Sequence, residues 1–175
     1  MRKSHVCSGL LLAVGFAVSP LFAQSKRPAI LPTPRPHATG HAAHTVVTAG
    51  SIAWQDAPPN LPPGARVAVI QGDPTRVEPF VIRLKIPDGY KIPAHWHPKA
   101  ENLTVLQGTF YLGTGDKLDE SKGSRLKAGD FSMMPARMHH FAWCKGETIV
   151  QAHGMGPFQL IYVDPKDDPS KTAKK

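Results

Sequence analysis

Ten short apolar or alternating runs, none longer than eight residues, occupy the middle of the chain: 66–71, 79–86, 92–97, 102–107, 109–112, 124–127, 130–134, 140–144, 148–153 and 158–163. Turn formers separate them, as at Gly113 with Gly115 and at Gly154 with Gly156. A period of two recurs from run to run, while no stretch sustains a helical period for long. Runs spaced this evenly predict an all-β domain built as a sandwich, jelly roll or barrel.

The flanks lack the pattern. Arg2 and Lys3 precede an apolar run over 10–18 and a polar-to-small exit over 19–23, so residues 1–23 read as a secretory signal cleaved near Ala23. That run is shorter than the roughly 20 apolar residues a spanning helix needs. The expected product is periplasmic or secreted, with no membrane attachment once the signal is removed. Residues 24–50, rich in Pro, Ala, Thr and His, carry no apolar period and predict a flexible linker. Residues 166–175 mix charge with Pro and Ser and predict a disordered tail. The folded domain is expected over 51–165.

Composition narrows the partners. A length of 175 residues and 41% hydrophobic content suit one domain with a real core. The net charge of +8 suggests nucleic acid until it is apportioned: residues 50–163 hold 12 Lys and Arg against 10 Asp and Glu. The excess therefore lies in the flanks, and no nucleic-acid partner is expected. Cys7 leaves with the signal, so Cys144 is the sole cysteine of the mature chain and an internal disulfide is excluded.

Candidate chemistry gathers between Gly89 and His140. His95 and His97 are two apart, and an extended strand points both imidazoles to one side. Glu101 opens the next run and shares a face with Leu103 and Val105, which carries a carboxylate to the apolar side, where an unpaired charge is costly and a cation would compensate it. His140 offers a third imidazole. Three His and one Glu suit a divalent transition metal, iron, manganese or zinc foremost, and four ligands on an octahedral ion leave two positions open.

This spacing resembles the first motif of the cupin superfamily, G-x5-H-x-H-x3-E-x6-G, at Gly89, His95, His97, Glu101 and Gly108. The second motif, G-x5-P-x-G-x2-H-x3-N, is met by Gly129, Pro135 and His140, with Arg137 in place of its Gly and Cys144 in place of its Asn. The resemblance implies a cupin jelly-roll β-barrel (a double-stranded β-helix) holding one metal through His95, His97, Glu101 and His140. The flanking sequence is most similar to small exported cupins and to the cupin domains of anti-sigma factors. A homodimer formed through exposed strand edges is also implied.

Other residues are weighed against this frame. Gln151 and His153 share one face of their run and would support a ligand imidazole or touch substrate if that face is interior. Arg137 would meet an anionic substrate if it borders the site. His139 should face away from His140, and Cys144 reads as a small buried hydrophobe. His37, His41 and His44 read as accidents of linker composition. The leading expectation is a metal-dependent enzyme acting on a small organic molecule, dioxygenase-like or isomerase-like, with Glu101 able to leave the metal and act as a base. The alternative is a non-catalytic periplasmic module that binds a metal or ligand or senses stress.

Overall fold

Alternating runs become strands when one face can be buried, and each run here has an apolar face to bury. The computed structural model describes residues 44–172. The predicted signal, most of the predicted linker with His37 and His41, and residues 173–175 lie outside the described residues. Among the described residues nine strands form: β1 (Gln55–Asp56), β2 (Arg66–Gln71), β3 (Pro79–Ile86), β4 (Lys91–Trp96), β5 (Glu101–Thr114), β6 (Ser124–Lys127), β7 (Phe131–Met134), β8 (His140–Met155) and β9 (Ile161–Tyr162). Every pairing is antiparallel.

The two long strands organise the rest. Early β5 pairs with β7 and late β8, while late β5 pairs with β6 and early β8. One limb of the curled sheet therefore runs β1-β2-β3-β8-β5-β7, and the other runs β9-β4-β8-β5-β6. Residues from both limbs line one internal cavity, Ile82 and Val150 from the first and Ile92 and Phe110 from the second. The core around it includes Ile86, Leu103, Val105, Met134 and Cys144. This is the jelly roll expected from the sequence.

Sequence breaks near residues 108 and 145–147 suggested separate strands. The structure instead keeps β5 and β8 continuous through irregular register, shifting between Val105 and Gln107 and between Gln107 and Thr109. A bulge bends a strand without ending its pairing. Gly108, at φ 83°, makes the bend possible: a Cβ there would lie 2.4 Å from Thr148 Oγ1 and 2.6 Å from the Glu147 carbonyl oxygen.

The predicted tail also differs. A 3-10 turn at Pro165–Asp167 and a short helix at Pro169–Thr172 replace disorder at its start. Asp168 Oδ1 accepts from Ser170 N at 3.0 Å and from Ser170 Oγ at 2.6 Å, a local turn that composition alone does not reveal. Similarly, Ala49–Ser51 of the predicted linker forms a 3-10 turn. No helix among the described residues is long and apolar enough to cross a membrane.

Candidate metal centre

A change of parity within β4 delivers the first two imidazoles. Ile92 lines the cavity, and strict alternation would send Ala94 and Trp96 inward after it. Instead the register shifts between Ile92 and His95, at the position of Pro93. Proline cannot donate to the ladder and is at home in such an irregularity. Ala94 then packs outward with Phe141 and Trp143, while His95 and His97 turn into the cavity. His140, the first residue of β8, sits opposite His95 in the ladder.

One ring nitrogen from each of His95, His97 and His140 lies within 4.8 Å of the other two. Ring centroids are 4.2 Å apart for His95 and His140, 5.1 Å for His95 and His97, and 5.2 Å for His97 and His140. The opposite nitrogens are all committed to backbone. His95 Nδ1 donates to the Pro93 carbonyl at 2.7 Å, His97 Nδ1 to the Gln159 carbonyl at 2.7 Å, and His140 Nδ1 to the Met138 carbonyl at 2.9 Å. A carbonyl only accepts, so each neutral ring carries its proton on Nδ1 and turns an Nε2 lone pair inward. Three converging lone pairs in a buried apolar space repel one another unless something electropositive lies among them, and the donor set fits a divalent transition ion.

Glu101 reaches two of the three rings, His97 and His140, and stands outside the group whose ligand atoms all lie within 4.8 Å of one another. Its Oε2 is 3.2 Å from His97 Nε2 and 3.7 Å from His140 Nε2. The closer contact lacks hydrogen-bond alignment, so His97 Nε2 is buried without a hydrogen-bond partner, as a nitrogen aimed at a cation would be. Burial alone would push the Glu101 carboxyl up, yet in the metal-free site His140 and His97, when protonated on Nε2, hold it well below the usual carboxylate range. Burial, reinforced by the neighbouring His140 and His97, pulls His95 down to about 3. At His97 burial also pulls downward, but the Glu101 carboxylate beside it prevails and the group is raised.

Three of the sequence-predicted residues take other places. Thr148, Val150 and Ala152 are the inward residues of late β8, which puts Gln151 and His153 on the outer face and away from the cavity. Gln151 Oε1 accepts there from Arg83 Nε at 3.1 Å. Arg137 is exposed and does not line the cavity; it holds φ 64° where the motif has glycine, and its contribution is a backbone N–H donated to the His97 carbonyl at 2.8 Å. These placements correct the expectation that the three support the imidazoles or touch substrate with their side chains. His139 pairs with Asp116 at 2.6 Å outside the cavity. Cys144 is buried, gives its S–H to the Pro87 carbonyl and is raised by burial. His44 is exposed.

Sequence reasoning missed the residues that grip His97. Phe158 stacks on its ring at 4.6 Å between centroids and 19° between planes, and Gln159 supplies the carbonyl already noted. Both come from a segment about sixty residues away, a separation that no local pattern spans. The i−2 carbonyls of Pro93 and Met138 follow a local rule and were open to inference.

A family model described as the ChrR cupin-like domain matches residues 42–159. The human 2-aminoethanethiol dioxygenase is 36% identical over 75 residues, which is 42% of this chain and 26% of that enzyme. Among solved structures, the polyketide cyclase RemF from Streptomyces resistomycificus superposes with a TM-score of 0.60 at 12% identity, covering 76% of this chain and 94% of that one. A candidate acetylacetone dioxygenase from Methylibium petroleiphilum gives a TM-score of 0.56 at 17% identity, covering 73% and 86%. At these identities the structural likeness shows the fold alone.

Proposed function

The chain belongs to the family of ChrR cupin-like domains, and from that premise we propose that it is an exported metal-dependent enzyme, dioxygenase-like in its chemistry, acting on a small organic molecule. The observation that carries the reading is the convergence of three Nδ1-protonated imidazoles, with Glu101 in contact, in the lining of an otherwise apolar cavity. His95, His97 and His140 would hold one divalent metal, with Glu101 as the fourth ligand, and the bound ion would supply Lewis-acid or redox chemistry at its open positions.

The chain's own groups define the rest. Carbonyls at residues 93, 138 and 159 orient the rings and raise their basicity as ligands. Phe158 fixes the plane of His97, and the apolar walls exclude water from the reacting centre. Glu101 is the one carboxylate of the cavity among the described residues, so any proton taken from a bound substrate would pass to its Oε atoms. The partial match to a thiol dioxygenase supports oxygen chemistry, and residues 1–23 support export. No nucleic-acid contact is proposed, in keeping with the near-balanced charge of residues 50–163, and a homodimer through strand edges stays part of the proposal.

A second reading has its own support. No acid or base other than the four candidate ligands lines the cavity among the described residues, which would suit a module that binds a metal or ligand without turning it over. Loading with iron(II) under anaerobic conditions, followed by dioxygen uptake with a panel of small thiols and 1,3-diketones, separates the two. Uptake that requires a panel member and disappears in His95→Ala supports the enzyme. Bound iron with no uptake across the panel favours the binding module.

A further inference from the structure

The cavity offers about 60 Å3 of free space, and eighteen residues line it. Apart from His95, His97, Glu101 and His140, every one of these is apolar. Five of them, Leu61, Ile82, Leu84, Phe158 and Leu160, also line an outer groove, where Val67, Val69 and Pro74 continue the apolar surface. The five thus form a neck between the groove and the imidazoles. Among the described residues, charged side chains reach the groove only at Asp56, which is exposed.

Leu61, like Phe158 and Leu160, belongs to no strand. It sits in a proline-rich strap, between Asn60 and Pro62, and two tyrosines fasten that strap to the barrel. Tyr162 Oη donates to the Asn60 carbonyl at 2.8 Å, and Tyr90 Oη donates to the Pro62 carbonyl. The strap is therefore pinned on either side of Leu61, and the Leu61 side chain stands at a fixed place in the path to the metal centre.

Resting on the metal reading above, we propose that this site takes an uncharged, chiefly apolar organic molecule presenting one metal-binding donor, and that the apolar neck, with Leu61 at its strap, sets the specificity. The donor end lies among the imidazoles and the body lies in the neck and groove. A carboxylate or ammonium on the body would lose its water and find no partner along the neck. Metal and walls then divide the work: the ion recognises one donor, and the neck rejects charge.

The test uses the full-length protein loaded with cobalt(II), its uptake checked by elemental analysis. Three thiols serve as probes, 1-butanethiol, 3-mercaptopropionate and 2-aminoethanethiol, with dissociation constants taken from the cobalt absorption bands. The expected result is that 1-butanethiol binds at least tenfold more tightly than either charged thiol. Leu61→Lys should narrow or reverse the preference over 3-mercaptopropionate, while Leu61→Ala should leave the order of the three unchanged. Equal or tighter binding of either charged thiol by the wild type overturns the inference and leaves the metal reading standing. Should cobalt not bind, the metal reading falls, and the walls are read on the metal-free protein by displacement of Nile red. There, at least tenfold tighter binding of 1-hexanol than of hexanoate supports an uncharged ligand, and equal or better binding of hexanoate refutes it.

Discussion

Arg137 shows how a motif position can change its side chain and keep its task. An L-residue in the left-handed region costs roughly 1–2 kcal/mol, and a glycine gives back part of that through its greater chain entropy, so Arg137→Gly should stabilise the fold by at most about 1 kcal/mol. Metal content should not change, because the contribution to the site is the backbone N–H to His97. Loss of metal in this variant would restore a role for the guanidinium. Phe158→Ala is expected to act in the opposite sense: removing the stacked ring should cost about 2 kcal/mol in urea unfolding and weaken metal binding about tenfold, as judged by chelator competition. Acid sensitivity follows from His95. A base harder to protonate in the folded state than in the unfolded state adds stability above its unfolded pKa and loses it as the pH falls. With His95 moved from 6.5 to about 3, the metal-free protein should lose thermal stability steadily from pH 6 to pH 4, and the depressed Glu101 adds to the loss only below its ordinary 4.5. His97, being raised, has its contribution fully present below 6.5 and does not offset that loss. A melting temperature that is flat or rises towards pH 4 would contradict this account of the buried imidazoles.

The strands were legible in the sequence to the extent that they alternate. β2, β3 and β6 coincide with their predicted runs because turn residues bound each of them. β5 was divided because a bulge changes the parity of its apolar face, and β8 because exposed Lys145, Gly146 and Glu147 interrupt its apolar residues; periodicity read along one chain cannot tell a bend from an end. The same shift in β4 seats His95 and His97, so the spacing of the histidines predicted a shared face while the route to it went unseen. For late β8, the sequence left open which face is interior; the pairing puts Val150 and Ala152 inside and leaves Gln151 and His153 outside. The bend at Gly108 can be tested against Gly129, which also has positive φ but open space around it. Gly129→Ala should cost only the backbone strain, about 1–2 kcal/mol. Gly108→Ala adds contacts of 2.4 and 2.6 Å and should cost several kcal/mol more, as measured by denaturant midpoint. Equal costs would mean that the two long strands do not cross as closely as described.

Across the molecule, two limbs of one curled sheet bring together residues from β4, β5, β8 and the 158–160 segment, and only this assembly makes a centre of the motif. The four candidate ligands could be read from spacing, since motif positions are local. The strap at Leu61, the neck and the grip on His97 could not, because each joins segments distant in the chain. An ion that binds the folded chain alone would also couple the site to the whole fold, raising the melting temperature with metal concentration. The most direct measurement is elemental analysis of the protein purified without metal-affinity tags, comparing wild type with His97→Ala. One equivalent of iron, manganese or zinc per wild-type chain, lost in the variant, is the expected result. Metal absent from both proteins, or retained equally in the variant, would contradict a centre built on these three imidazoles.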